Sequence, residues 1–308
     1  MAIDSGDPAS TLTIAETAAV GAPEAARVFV GRTRKDRALE LARALLRSKT
    51  FVVGAVILLF WIVDAVFWRA FVPYDPQAID PLQPLKGPSS AHWFGTDNLG
   101  RDVFSRVLAG AGSVLVVATL ATALGIAGGT VLGLLTGYYH RFDDIASRLV
   151  EAVLAFPLII IAVLVLSVLG RSTVNVILVI GIVFTPIVSR TVRAAVLSSR
   201  EREYVAAAKL RGESDLYIMF AEILPNITGP LTVESTVRLG YAVFTAATLA
   251  FLGLGIGEPS PDWGLTISLG RQYLQIAPWV VLFPAAALAT LVVAVNLVVD
   301  GLKKAMEE

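Results

Sequence analysis

The chain has 308 residues, of which 56% are hydrophobic and only 16% are charged. Soluble domains carry about 25% charged residues, so this composition favours a membrane protein over a soluble domain. The 25 basic and 25 acidic residues cancel, which gives no reason to expect nucleic-acid binding, and the lack of cysteine excludes disulfide bonds and thiolate chemistry.

Two different stretches precede the first long apolar segment. Residues 1–33 are rich in Ala, Ser, Thr, Gly and acids without periodicity, which predicts a disordered tail. Residues 34–49 alternate basic residues with leucines, a pattern typical of an amphipathic helix at a membrane surface. A simple extension of the first membrane span fits the same residues, and both interpretations stay open.

Six apolar segments follow, each close to the roughly 20 residues that a helix needs to cross a bilayer. They are Phe51–Val72, Ser113–Thr136, Ile145–Leu169, Val174–Val196, Leu231–Gly255 and Pro278–Val299. Backbone groups in lipid must be hydrogen-bonded within the protein, so we expect helices. The predicted fold class is therefore all-α, with six transmembrane helices in residues 50–308.

The distribution of Lys and Arg predicts the orientation of these spans. Basic residues concentrate before the first span, in the segment 197–228 between the fourth and fifth spans, and at the C-terminus. They are sparse in the loop 73–106 after the first span. Cytoplasmic loops carry the excess of Lys and Arg, so both termini and the segment 197–228 are expected in the cytoplasm. The loop 73–106 is then expected on the opposite side.

Sequence motifs for catalysis are missing from the chain. No stretch matches the G-x-x-x-x-G-K-[ST] phosphate-binding loop, and His92 and His140 are isolated from other ligand-type residues. No nucleophile lies beside a plausible base. We therefore expect a protein that is not an enzyme, although an intramembrane protease could assemble its site from different spans.

The most informative polar stretch is Glu203–Asn226, between the fourth and fifth spans. It begins with good helix formers, and Gly212 follows as a candidate left-handed helix cap. Apolar residues then recur at helical spacing until Pro225, which stops the second helix or opens the next span. This order predicts a rigid helix–turn–helix elbow that projects from the cytoplasmic face.

The elbow resembles the EAA loop of importer-type ABC transporter permeases. That pattern has Glu-Ala-Ala, then a glycine, then a terminal Ile and Pro. The matching positions, which the resemblance assigns to ATPase coupling, are Glu203, Ala206, Ala207, Ala208, Gly212, Ile223 and Pro225. Two departures are Ala206 in place of the first Glu and Ala221–Glu222 in place of the frequent Arg-His pair.

The resemblance extends over about residues 45–305. The segments FGTDNLGRDVFSRVLAG, LAFPLIIIAV, LAFLGLGIGEPSPDWG and NLVVDGLKKAM are similar to those of the C-type permease of dipeptide and oligopeptide importers. Four matches in order, with the elbow at the expected junction, make the resemblance specific. The FGTDNLGRD segment could contact a substrate-binding protein or fold over the rim of the membrane domain.

This resemblance implies the type I ABC importer permease fold in a bacterial cytoplasmic membrane. The implied partners are a homologous second permease, two ATPase subunits and an extracytoplasmic substrate-binding protein. This chain would bind no cofactor, since ATP and Mg²⁺ belong to the ATPase subunits. The implied cargo is a dipeptide or oligopeptide.

Other functions remain as alternatives at this point. Permeases for nickel or another small solute share the same motifs, although only 2 His, 3 Met and no Cys are available for metal ions. A secondary transporter would favour inverted repeats and broken helices, which are not evident in the sequence.

A few polar residues lie inside the predicted spans, where they usually mark function or pairing. Glu234 and Arg238 are four residues apart and should form an ion pair, either as a structural seam or as lining of the pathway. Asn296 is a further candidate for the translocation path. Asp64 is expected to snorkel toward the end of the first span. The run of five glycines at 125, 128, 129, 133 and 137 predicts close helix packing.

Overall fold

A computed structural model describes residues 43–307 of the chain, and within this range the fold is all-α. The helices are α1 (Lys49–Phe71), α2 (Val103–Tyr138), α3 (His140–Leu154), α4 (Leu158–Leu169), α5 (Thr173–Ser199), α6 (Glu203–Leu210), α7 (Asp215–Asn226), α8 (Thr228–Phe251), α9 (Trp263–Gly270) and α10 (Trp279–Glu307). The predicted disordered tail (1–33) and most of the predicted amphipathic helix (34–49) lie outside the described residues. Ser48 caps α1, since its hydroxyl accepts a hydrogen bond from the backbone N–H of Phe51 at 3.4 Å.

Four helices, α1, α2, α5 and α10, are long and apolar enough to cross a bilayer. Two bent pairs, α3 with α4 and α7 with α8, bring the number of spans to six if each pair counts as one. The six apolar segments predicted from the sequence thus agree with six spans, the number obtained when each bent pair counts as one. The bend of 70° between α7 and α8 lies where the elbow was expected to enter the fifth span.

The third predicted segment, Ile145–Leu169, is wrong as a single helix. The chain breaks between α3 and α4 and bends by 87°. Pro157 causes the break, because it has no N–H to donate and disfavours helical backbone at the preceding residue. Helix α4 has 12 residues, or about 18 Å at about 1.5 Å per residue, which is shorter than a bilayer core of about 30 Å.

Helix α3 is held against α5 by a two-point ion pair. Arg193 of α5 donates from Nε and from a terminal nitrogen to the two carboxylate oxygens of Asp143, both at 2.6 Å. The hydroxyl of Ser147 donates to the same carboxylate at 2.6 Å. Such fork-like pairs fix geometry as well as charge, so the direction of α3 is determined at its first turn.

The core of the fold is the seam between α2 and α5. Glycines of α2 face α5 at intervals of four residues, and a Cβ added at Gly133 would lie 2.6 Å from the Cβ of Val192. Similar clashes would follow at Gly129 with Val188 and at Gly137 with Val196. The predicted close packing of the glycine run is confirmed, because only a missing side chain allows the two backbones to approach this far.

The end of the bundle opposite the elbow, which we call the loop face, is closed by buried charges. Arg101 donates to Asp97 at 2.6 Å and to Glu258 at 3.1 Å, and it is 3% exposed. Arg106 donates to the backbone carbonyls of Pro76 and Ser260 at 3.0 and 2.9 Å. The FGTDNLGRD segment is therefore a structural tie between the two long loops of this face.

Candidate coupling elbow and polar path

The turn of the elbow is a glycine-capped helix end. Gly212 has φ +77°, a left-handed conformation that costs other residues energy. Its N–H donates to the carbonyl of Lys209 at 3.0 Å, and the N–H of Glu213 donates to that of Ala208 at 3.2 Å. These two bonds form a Schellman motif, which satisfies the last carbonyls of α6. The turn predicted at Gly212 is thus confirmed.

The second helix of the elbow, α7, is capped by Ser214 and contains a π-helical turn. The Ser214 hydroxyl accepts a hydrogen bond from the backbone N–H of Tyr217 at 3.3 Å. The segment Ile218–Ile223 is π-helical, so residues five apart lie on the same side of the helix. Both Ile218 and Ile223 consequently point inward, at 1% and 0% exposure.

The inner face of the elbow is packed onto α2 and α5. The buried cluster joins residues of the elbow to the inner ends of the two helices: Leu134, Val188, Val192, Val196, Val205, Ala208, Ile218, Met219, Ile223 and Ile227. Val188, Val192 and Val196 are also the residues that contact the glycines of α2. The elbow and the α2–α5 seam therefore share one core, so that a displacement of one must move the other.

Polar contacts add a second attachment. The hydroxyls of Tyr138 and Tyr139 donate to the two carboxylate oxygens of Asp215 at 2.8 and 3.1 Å. The pKa of Tyr139 is raised, mainly by partial desolvation of its phenol and to a smaller extent by its hydrogen bond to Asp215. Arg200 donates to the backbone carbonyl of Gly137 at 3.0 Å. The end of α2 is thus tied to α7 of the elbow through Asp215 and to the end of α5 through Arg200.

One ion pair closes the elbow on itself. Arg211, at the turn, donates to Glu222 of α7 at 2.9 Å. This hydrogen bond is the main reason why the pKa of Arg211 is raised. Glu222 is one of the two departures from the EAA-loop pattern, and in this chain it pairs with Arg211 across the turn.

The outer face of the elbow is apolar and exposed. Leu210 is 90% exposed, Leu216 63% and Phe220 47%. Of the seven residues assigned to coupling, five are exposed: Glu203, Ala206, Ala207, Gly212 and Pro225. Ala208 and Ile223 are fully buried, and they hold the elbow in place instead of presenting a surface. Leu210 was not among the residues that the sequence assigned to coupling. Its place at the end of a helix, two residues before the helix-ending Gly212, could have indicated an exposed apolar contact residue.

The candidate path residues Glu234 and Arg238 form the expected ion pair on α8. Arg238 Nε lies 2.7 Å from Glu234 Oε1, at an angle unsuited to a hydrogen bond, and the two side chains are 15% and 14% exposed. Thr191 of α5 donates to the other oxygen of Glu234 at 3.4 Å. The guanidinium also lies 5.1 Å from the ring centre of Tyr241. The pair is therefore surrounded by groups of α5 and α8.

Asn296 lies in a separate groove between α8 and α10. The groove has a volume of about 320 Å³, and Gly240, Tyr241, Asp300 and Lys303 also line it. Tyr241 borders both this groove and the ion pair. Glu234 and Arg238 thus lie on α8 and Asn296 lies on α10, and the three candidate path residues do not form one cluster.

The chain matches two family models in its sequence. Residues 129–308 match the binding-protein-dependent transport system inner membrane component, and residues 39–88 match the N-terminal transmembrane domain of oligopeptide transport permease C. The chain belongs to the family of binding-protein-dependent transport permeases. It is therefore a multi-pass membrane subunit with the type I ABC permease fold, the permease and not the ATPase of its transport system.

Curated relatives of this permease cover nearly its whole length. It is 40% identical to the dipeptide transport system permease protein of Alkalihalophilus pseudofirmus over 87% of this chain and 88% of that one. It is 38% identical to a putative peptide transport system permease protein of Brucella suis, over 86% and 90%. It is 37% identical to the glutathione transport system permease protein of Pectobacterium atrosepticum, over 87% and 90%.

Proposed function

We propose that this permease imports short peptides as half of a translocation pathway, with ATP hydrolysed by separate subunits. The three relatives named above are described as transporting dipeptides, peptides or glutathione, and glutathione is itself a short peptide. A homologous second permease completes the pathway, and a substrate-binding protein delivers the cargo. The scarcity of His, Met and Cys is consistent with a peptide cargo in preference to a metal ion.

The main structural support for this proposal is the arrangement of the two faces of the elbow. Its outer face exposes Leu210, Leu216 and Phe220, while its inner face shares a core with α2 and α5. A soluble subunit that binds the exposed residues and moves the elbow can displace α2 and α5, because the shared core transmits the movement. We assign this binding to an ATPase subunit in the cytoplasm. Because six spans place both termini on the same side as the elbow, both termini are then cytoplasmic as well.

Glu234 and Arg238 are proposed to line the pathway together with Asn296. A peptide carries one positive and one negative terminus, and the ion pair offers one charge of each sign. The two side chains are 15% and 14% exposed, although the facing atoms Arg238 Nε and Glu234 Oε1 are buried. Asn296 adds an uncharged hydrogen-bonding group near Tyr241.

Reconstitution of the purified assembly tests this function. The permease is co-expressed with its neighbouring permease, ATPase and binding-protein genes and placed in lipid vesicles. We expect uptake of a radiolabelled dipeptide that needs both ATP and the binding protein. The matched control contains an ATPase subunit without its phosphate-binding lysine and should take up none. Equal uptake in that control, or uptake by the permease alone, would contradict an ATP-driven importer.

A further inference from the structure

The groove between α8 and α10 opens toward the end of the bundle where the elbow lies. A Cβ added at Gly240 of α8 would be 3.4 Å from Oδ1 of Asn296, so these two residues lie opposite each other. Gly240 comes 12 residues after Thr228, the first residue of α8. Asn296 comes 11 residues before Glu307, the last residue of α10. Because both helices rise by about 1.5 Å per residue, the end of α10 lies level with the start of α8, where the elbow joins it.

The polar residues of α10 lie along one side of this groove. Asn296, Asp300 and Lys303 follow each other at intervals of four and three residues, which puts them on one helix face. All three line the groove, and all three are exposed. Among the side chains that the structure describes, neither Asp300 nor Lys303 takes part in an ion pair. The groove thus presents an amide, a carboxylate and an ammonium group in order from its deep end to its mouth.

The opposite wall of the groove is largely apolar and aromatic. Val237, Tyr241 and Phe244 of α8 form it, and the two aromatic side chains are 56% and 54% exposed. The groove volume of about 320 Å³ is at the lower end of the range of about 300–1,000 Å³ that is typical of small-molecule sites. The groove is therefore suited to a small zwitterion with an apolar part.

The spacing of the two charges matches a dipeptide. An extended chain spans about 3.3–3.6 Å per residue, so the charged ends of a free dipeptide are about 7 Å apart. Residues three apart on a helix have Cβ atoms about 5–6 Å apart, and the flexible stem of lysine adjusts the distance between Asp300 and Lys303. The ends of a tetrapeptide are about 14 Å apart when it is extended, which is too far to contact both charges.

We propose that this groove binds a free dipeptide from the cytoplasm and that the bound dipeptide slows further import. The dipeptide ammonium group pairs with Asp300, its carboxylate pairs with Lys303, and the Asn296 amide hydrogen-bonds to the peptide bond. The inference rests on the proposed function, which supplies both the cargo and the cytoplasmic position of the elbow. It adds a regulatory site for the imported product at the inner end of the pathway.

The position of the groove explains how a bound dipeptide would slow import. Helix α8 follows the elbow directly, so a ligand that contacts both α8 and α10 opposes a movement of α8. Exposed ion pairs are weak, so we expect a Kd on the order of 1 mM. Such a site responds to accumulated product and stays empty while the product is scarce.

Uptake into preloaded vesicles tests the proposal. The complete importer is placed in phosphatidylglycerol vesicles that contain ATP, with and without unlabelled Gly-Leu at about 10 mM, which is about tenfold above the expected Kd. We expect internal Gly-Leu to lower the initial uptake of radiolabelled dipeptide at least about threefold. N-acetyl-Gly-Leu-amide, which has no charged ends, should not lower it. Equal inhibition by the two compounds, or none by Gly-Leu, overturns the proposal.

A lipid headgroup is the other source of a zwitterion at this depth. Phosphatidylethanolamine carries a phosphate and an ammonium group, whereas phosphatidylglycerol carries no positive charge. Replacement of half of the lipid by phosphatidylethanolamine should leave the inhibition by Gly-Leu unchanged. Loss of the inhibition in these vesicles would assign the groove to the lipid headgroup and overturn the proposal.

Two variants locate the inhibition in this groove. Asp300→Asn and Lys303→Gln should each bring the ratio of uptake without and with internal Gly-Leu close to one. Lys304→Gln is the matched control, because Lys304 is exposed but does not line the groove. It should keep the full inhibition. The same ratio in Lys303→Gln and Lys304→Gln would show that Gly-Leu acts elsewhere in the importer.

The two hypotheses fail in different ways. If ATP-dependent uptake is normal but internal Gly-Leu has no effect on it, the groove assignment is wrong and the proposed function stands. If the unmodified importer takes up no peptide into empty vesicles, both are overturned.

Discussion

The hydroxyl of Tyr138, the last residue of α2, donates a hydrogen bond of 2.8 Å to Asp215, the first residue of α7. Tyr139 donates to the other oxygen of the same carboxylate. Asp215 therefore attaches the elbow to α2 at the protein surface. Ile223 of the elbow and Val192 of α5 belong to the same buried cluster. A movement of the elbow must displace α2 or break these bonds.

Loss of both phenols should weaken the link between ATP hydrolysis and transport. We expect the double variant Tyr138→Phe with Tyr139→Phe to transport less peptide per ATP than either single variant, because it removes both hydrogen bonds to Asp215. The measurement compares ATPase rate and uptake in the same vesicles. Tyr273→Phe, which removes a phenol on the loop face, is the control. An unchanged ratio in the double variant would show that the apolar core alone transmits the movement.

Gly212→Val should disturb the elbow through its backbone. No atom outside its chain neighbours lies within 4 Å of an added Cβ, so the substitution causes no clash. The left-handed φ of +77° remains, at a cost of about 1–2 kcal/mol for a side chain that resists it. We expect reduced assembly with the ATPase or ATP hydrolysis without transport.

Gly212→Asn is the matched control for the turn, because Asn tolerates this conformation far better than a β-branched residue. It should retain most of the transport and normal coupling. Normal coupling in Gly212→Val would mean that the turn does not need its left-handed residue.

Gly133→Ala should destabilise the α2–α5 seam. The added Cβ would lie 2.6 Å from the Cβ of Val192 and 2.8 Å from the carbonyl of Ser189, so the two helices must separate. Overpacking of this kind costs about 1–3 kcal/mol, which should appear as a lower unfolding temperature in detergent. Gly257→Ala, where nothing lies within 4 Å, should leave the temperature unchanged. Equal temperatures for both variants would contradict the tight seam.

The Glu234–Arg238 pair can be tested for a role in transport. Glu234→Ala should lower uptake while the assembly stays intact. Glu234→Ala also leaves the buried charge of Arg238 unpaired, which should lower the unfolding temperature. The double variant Glu234→Gln with Arg238→Gln removes both charges, so its unfolding temperature should return toward that of the unmodified chain. Uptake should stay low in this double variant if the charges contact the peptide. Recovery of both stability and uptake would show that the pair only joins α5 to α8.

The elbow could be predicted from the sequence because its signals are local. Gly212 requires no knowledge of the fold, since the left-handed cap follows from the end of a helical run. The burial of Ala208 and Ile223 could not be predicted in this way. It depends on a π-helical turn and on contacts with α2 and α5, which are far away in the sequence.

The break in the third span was foreseeable only in part. Pro157 is visible in the sequence, but the apolar content averaged over Ile145–Leu169 concealed that Arg148 and Glu151 belong to a separate amphipathic helix. The expectation that Asp64 snorkels to the surface is wrong, because the residue is 3% exposed and, among the described residues, neither carboxylate oxygen has a hydrogen-bond partner. Its unpaired state could not be predicted at all. A single sequence does not show which helices lie beside an acid, and the answer came from the packing of α1 against α2 and α10.

The coupling role of the elbow is tested most directly by cross-linking to the ATPase subunit. Leu210→Cys places the only thiol of the chain on the exposed end of α6, and Leu82→Cys places one at an equally exposed leucine of the loop face. Each is labelled with a maleimide benzophenone in the reconstituted importer and irradiated with and without ATP. The predicted result is attachment of position 210 to the ATPase, with a yield that changes on addition of ATP, and no attachment of position 82. Active uptake without any attachment of position 210 to the ATPase would contradict the assignment of the elbow as the coupling site.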